Sequence, residues 1–287
     1  MTILQILILA AVQGAAELLP VSSSAHVIVA AKLMGLNPAS PEVTLLLVML
    51  HTGTMFAVIL FFWKAWRETF FTSRRKLLNI GRLILVATTL TGAVGLGLKA
   101  VIERIAFGKD GRAEIEMLFG NLGLISAALA AVGVLIVYAG LRQRRAAAPR
   151  GEIGLKDACA IGVVQGFCLP LRGFSRSGAT ISMGLLLGIA KDRVDQFSFA
   201  LAVVLTPPVI AREVLRLVKA QAVPVGSGGH LLDLFFPSLC GMALSFLSGL
   251  IALRWLSSWL DKGLWHYFGY YCLAASLLVF TLYVRGM

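Results

Sequence analysis

The sequence predicts an all-α integral membrane protein with six transmembrane helices and two re-entrant helical hairpins. Three observations predict it. Of 287 residues, 58% are hydrophobic and only 14% charged, where a soluble domain is about 45–50% apolar and about 25% charged. Mean hydropathy is +0.86, and the apolar residues fall in blocks near the roughly 20 needed to cross about 30 Å of hydrocarbon. The basic residues gather in short loops between those blocks, the pattern of cytoplasmic loops.

In chain order, residues 3–34 are apolar but broken near the middle by Pro20 and a run of serines. The spacing predicts spans over 43–62, 80–101 and 117–141. Residues 155–190 form a second broken segment, interrupted by Pro170, Gly173 and serines. Three more spans follow at 197–218, 235–256 and 265–284. Thr206-Pro207-Pro208 should kink the fourth span, and Arg212 and Arg216 can snorkel or face the interior. Trp63, Trp66, Trp265 and Tyr267 stand near span ends as interfacial anchors.

The two broken segments resemble each other. V-Q-G-A-A-E-L-L-P-V-S-S-S-A-H runs from Val12 to His26, and V-Q-G-F-C-L-P-L-R-G-F-S-R-S-G from Val164 to Gly178. Each is followed by three spans, which makes an internal repeat of about 150 residues within one membrane domain. Its halves cover approximately 1–141 and 155–287, joined by a basic linker at 142–154. Three intervening spans invert the second copy. Loop charge agrees. Loop 63–82 carries six basic residues and the single acid Glu68, so it should be cytoplasmic. Loop 102–116 balances Arg104, Lys109 and Arg112 against Glu103, Asp110, Glu114 and Glu116, so it should lie outside. Two hairpins entering from opposite faces would bring their serine-rich tips together at mid-membrane, where irregular backbone is tolerated only around a polar cavity or inside protein.

The net charge of +12 does not mark a nucleic-acid binder, because its residues flank apolar spans. Cys159, Cys168, Cys240 and Cys272 lie in apolar sequence without metal-type spacing and read as packing residues. The apolar N-terminus has no Lys or Arg before Lys32, so it lacks a signal-peptide n-region and is expected to stay in the mature protein.

Chemistry concentrates at the two tips. The first carries Glu17, Ser22, Ser23, Ser24 and His26, with Gln13 one helical turn before Glu17. The second carries Arg172, Ser175, Arg176 and Ser177 between Gly173 and Gly178. Ionisable residues inside apolar segments are costly and mark function. Arginine forks, hydroxyls and helix N-termini all suit phosphate. A histidine beside serines allows a base, a nucleophile or an activated hydroxyl, and either Ser22 or Ser23 could face His26 on one helix side. Glu17 beside a diphosphate would suit a divalent cation, Mg²⁺ or Ca²⁺. His51 sits inside the first span, where a lone histidine is more often a satisfied core residue. Serine clusters in membrane helices also serve plain packing.

E-L-L-P-V-S-S-S-A-H and G-F-S-R-S-G-A-T-I-S resemble the two signature segments of the undecaprenyl diphosphate phosphatase family associated with bacitracin resistance. The likeness runs over nearly the whole chain, including His51-Thr-Gly-Thr54 and the F-S-F-A-L-A run from Phe197. It implies a multi-pass enzyme of the bacterial inner membrane, its site facing the periplasm, that converts undecaprenyl diphosphate to the monophosphate for cell-wall synthesis with a divalent metal. It also implies a membrane-lipid partner and allows a homodimer. By position, Glu17 matches the family's second motif glutamate, Ser23 and His26 its serine and histidine, and Arg176 its phosphate-binding arginine. Which of Ser23 and His26 attacks stays open. Two departures stand out: Gln13 occupies the place of a first glutamate, and Arg172 that of a proline. The competing reading is a transporter or flippase that binds the same phosphorylated lipid without cleaving it.

Overall fold

The computed structural model describes residues 1–37, 40–107, 121–143, 149–219 and 228–286. Among these, ten α-helices follow one another: α1 (Ile3–Leu18), α2 (Ser23–Leu33), α3 (Pro41–Thr69), α4 (Arg74–Phe107), α5 (Leu122–Gln143), α6 (Leu155–Phe167), α7 (Arg176–Leu186), α8 (Lys191–Lys219), α9 (Gly228–Asp261) and α10 (Trp265–Val284). The all-helical membrane class follows. Five helices are long and apolar enough to cross a bilayer, namely α3, α4, α5, α9 and α10. The predicted span at 197–218 lies within α8, which runs through Pro207 and Pro208 and is not among those five. Lys109, Asp110, Arg112, Glu114 and Glu116 of the outer loop, and Arg144 and Arg145 of the linker, lie outside the described residues.

Local chemistry sets the helix ends. Thr2 and Gln5 form a reciprocal capping box at the start of α1. Ser40 accepts from the Val43 amide, with Pro41 opening α3, where its missing N–H costs nothing. In the first turn of α6, Asp157 accepts from the Gly154 amide at 2.8 Å and from the Arg150 guanidinium at 3.1 Å. Arg150 also reaches Leu187 O at 2.7 Å, so one arginine ties the linker to the end of α7.

Where each predicted broken segment falls, two short helices meet at a turn. Small residues let these helices approach the long ones. A Cβ on Gly14 of α1 would stand 2.7 Å from Ser245 O on α9, and one on Gly166 of α6 would stand 2.6 Å from Val94 on α4. Gly14 and Gly166 thus each admit a close helix contact on a different partner, while Gln13 donates to Glu17 of its own helix and Gln165 to Thr91 of α4. Ser126 and Ser276 exchange hydrogen bonds with each other's carbonyls at 3.0 and 2.8 Å between α5 and α10, as small polar residues do between membrane helices. Phe62 and Trp66 of α3 stack in the core beside Phe199 of α8.

The tightest approach joins α3 to α9. A Cβ on Gly53 would collide with the Met242 backbone carbonyl, which a rotamer change cannot relieve. Gly53→Ala is therefore expected to destabilise the protein by about 1–3 kcal/mol, an overpacking cost. Thermal unfolding in detergent would read it as a lowered melting temperature.

Candidate active site

The first turn links α1 to α2 through Leu19-Pro20-Val21-Ser22. Ser22 adopts φ 68° and ψ 92°, a conformation costing of order 1–3 kcal/mol for a non-glycine residue and typical of functional turns. Its side chain does not cap α2. Its carbonyl accepts from the His26 amide at 3.3 Å, no Ser22 hydroxyl covers the amides before it, and a helix N-terminus favours anions. The second turn links α6 to α7. Gly173 has φ +103°, and a Cβ there would lie 2.5 Å from Ile125 O, so only glycine lets this turn run against α5. Ser175 caps α7 by accepting from the Gly178 amide at 3.2 Å.

The two turns touch. Ser177 donates to Leu19 O at 3.3 Å, and Cys272 of α10 approaches Pro20 O at 3.3 Å. Glu17 stands at the junction. Its Oε1 accepts from Arg176 Nη2 at 2.8 Å. Its Oε2 accepts from Ser23 Oγ at 2.5 Å and from Gln13 Nε2 at 3.1 Å. His51 Nε2 of α3 lies 3.7 Å from the same oxygen. The Glu17 and Arg176 side chains are 14% and 23% exposed. An ion pair so enclosed is sustained only when further hydrogen bonds satisfy the carboxylate, and Ser23 and Gln13 supply them. Thr180 donates to Arg176 O at 2.8 Å and its Oγ1 lies 2.5 Å from Ser198 Oγ on α8, which braces the turn bearing Arg176.

Glu17, Ser23, Arg176 and Gln13 are thus brought together across two sequence-distant turns. His26 is not. Its Nδ1–H donates to Ser22 O at 2.8 Å, its Nε2 meets the Tyr271 hydroxyl at 2.7 Å, and the two rings stack. Both ring nitrogens are engaged away from Ser23. Ser22 and Ser24 face each other, their hydroxyls 3.3 Å apart. Ser175 and Ser177 are buried and hold the second turn and the junction. Arg172 lies in the same turn, partly buried. Sequence reasoning missed Tyr271, 245 residues from His26, and ascribed no role to His51.

The donor set does not suit a resident divalent cation. Such ions want several oxygen ligands, with carboxylates first. Among the described residues, Glu17 is the one carboxylate at the junction, and both its oxygens already receive N–H or O–H donors. Among the described residues, no three His, Cys, Asp or Glu side chains converge on a point. Gln13→Glu would add a second carboxylate one helical turn away. That variant is expected to show stronger activation by Mg²⁺ or Ca²⁺ than the wild type, read as the ratio of rates with added metal and with chelator.

An α1–α2 turn bearing a hydroxyl on a carboxylate, closed by an arginine from the α6–α7 turn, can hold a phosphate and deprotonate an attacking group. Proteins similar over the full chain carry names consistent with that chemistry. Undecaprenyl-diphosphatase 2 of Acinetobacter baylyi is 53% identical over 283 residues, covering 98% of each chain. The undecaprenyl-diphosphatase of Rhodopirellula baltica is 32% identical over 283 residues, covering 99% of each chain. That of Parabacteroides distasonis is 33% identical over 280 residues, 95% of each. The model of the family described as bacitracin resistance protein BacA matches residues 6–278. With the match spanning both turns and every long helix between them, this chain belongs to the BacA family.

Proposed function

We propose that this chain is an undecaprenyl-diphosphate phosphatase of the bacterial inner membrane, with Ser23 as its nucleophile. The observation that carries the assignment of roles is the Ser23–Glu17–Arg176 chain of hydrogen bonds across the two turns. A protein that only carried the lipid would need the arginine but not a hydroxyl donating into a carboxylate.

In this reading, Arg176 holds the terminal phosphate. Its guanidinium has five N–H donors in a rigid fork, and it spans carboxylate and phosphate together. Arg172, the Ser22 and Ser24 hydroxyls, and the first-turn amides of α2 complete the phosphate cradle. Ser175 and Ser177 keep the second turn in place beneath it. Ser23 Oγ attacks the terminal phosphorus and the bond to the bridging oxygen breaks. Lipid monophosphate leaves, and Glu17 Oε2 takes the serine proton. Once Glu17 has shed that proton, water attacks the phosphoserine with the ionised Glu17 as base, and inorganic phosphate is released. Tyr271 and His26, bonded to each other, flank the first turn, and Gln13 orients Glu17.

The α1–α2 and α6–α7 units are read as re-entrant hairpins of an inverted repeat. The support is the shared V-Q-G start, the close helix contacts at Gly14 and Gly166 and the meeting of the two turns. The basic loop between α3 and α4 is then cytoplasmic, and the cavity opens to the periplasm. The polyprenyl tail lies along apolar helix faces in the bilayer.

The test is phosphate release from undecaprenyl diphosphate by detergent-purified protein, comparing wild type with Ser23→Ala and His26→Ala. Loss in Ser23→Ala with measurable turnover in His26→Ala supports the assignment. Full turnover in Ser23→Ala would refute it.

A further inference from the structure

Both histidines near the junction are held alike but aimed differently. His26 donates Nδ1–H to the carbonyl of Ser22, and His51 donates Nδ1–H to that of Leu47 at 2.8 Å, each four residues back on its own helix. With Nδ1 serving as donor, the basic nitrogen of each neutral ring is Nε2. In His26 that nitrogen meets a tyrosine hydroxyl. In His51 it faces Glu17 Oε2, the oxygen that receives the Ser23 proton.

That oxygen is a poor final resting place for a proton. The carboxylate is paired with Arg176 and accepts from Gln13, so its lone pairs are already taken by N–H donors. A proton taken from Ser23 therefore needs an onward acceptor, and the His51 Nε2, on a side chain not enclosed by the protein, lies 3.7 Å from that oxygen. The 3.7 Å separation is longer than a hydrogen bond, and catalytic contacts of this kind tighten when substrate is bound.

We infer that His51 is a further residue of the phosphoryl-transfer machinery, the proton acceptor behind Glu17, and this rests on the reading of Ser23 as nucleophile. As the Ser23 oxygen bonds to phosphorus and the bridging oxygen departs with the lipid monophosphate, the serine proton moves to Glu17 Oε2. It passes from there to His51 Nε2, leaving an imidazolium beside an ionised Glu17. His51 then releases the proton to water and the site is reset for hydrolysis of the phosphoserine. His51 touches the general base rather than the substrate, so it acts as a positioning and relay residue.

The experiment uses His51→Ala and His51→Gln in the full-length protein, with undecaprenyl diphosphate as substrate and imidazole as the rescuing probe. The expected result is a fall in kcat on the order of 10²-fold with KM within about twofold of wild type. Imidazole, reaching the exposed position, restores part of kcat to His51→Ala and none to Ser23→Ala. A kcat for either variant close to wild type would overturn the inference. So would an activity loss in variants of unchanged melting temperature that imidazole leaves untouched, since His51 would then be a charge partner only. If Ser23→Ala itself stays active, the nucleophile assignment fails first and the relay with it. An inactive Ser23→Ala beside fully active His51 variants removes the relay alone.

Discussion

Replacing Ser23 by alanine is expected to lower kcat by on the order of 10⁴-fold or more, the scale of losing a nucleophile that acts as a unit with its base. The alanine side chain removes the atom that bonds to phosphorus and leaves Glu17 with Arg176 and Gln13 as donors. The carboxylate thus stays satisfied, and little stability should be lost, on the order of 1 kcal/mol for one hydrogen bond. Substrate affinity should change little, because the Arg176 and Arg172 guanidiniums and the first-turn amides of α2 that hold phosphate are all kept. Ser23→Ala therefore separates chemistry from binding: equilibrium binding of a nonhydrolysable diphosphate analogue should persist while phosphate release falls to background. Ser22→Ala and Ser24→Ala, whose hydroxyls face each other, should keep most turnover.

The second large effect is at Arg176. Arginine stabilising a transferring phosphoryl group is worth about 10³–10⁵ in kcat. Arg176→Lys keeps the charge but loses the planar fork that spans Glu17 and phosphate, so a loss of roughly 10²–10³-fold is expected with the fold intact. Arg176→Ala goes further. It strands Glu17, a carboxylate only 14% exposed, without its counterion, at a cost of about 3–5 kcal/mol. A double substitution, Arg176→Ala with Glu17→Gln, should recover stability and remain inactive. Melting temperatures of the three variants, measured beside phosphate release, would show the two effects apart.

How much of this was legible in the sequence varies with the physics involved. Glu17 and Arg176 stood out because charge inside apolar sequence is expensive, but their pairing over 159 residues was not the role read in advance, since the sequence assigned Glu17 to a cation and Arg176 to phosphate. Span counts came from hydropathy, which marks where lipid is crossed and not where a helix ends. α3 accordingly continues from the predicted end at 62 to Thr69, since its Trp66 and Thr69 find partners in Gln196 of α8. Spacing placed His26 beside Ser23. An offset of three residues from Ser23 puts both on neighbouring positions of one helix, yet the ring turns back to its own carbonyl and to Tyr271. Neither Tyr271 nor the orientation of His51 could be read in advance, because each depends on how distant helices dock. Tyr271 lies among aromatic residues of α10, indistinguishable by composition from interfacial anchors.

The most direct test of the central claim is rapid acid quenching of the enzyme with undecaprenyl diphosphate radiolabelled in the terminal phosphate, followed by peptide mapping. A phosphoseryl peptide containing Ser23, formed and lost at rates compatible with turnover, is the result predicted here. Label on a histidine, or single-turnover phosphate release with no covalent intermediate, would contradict it.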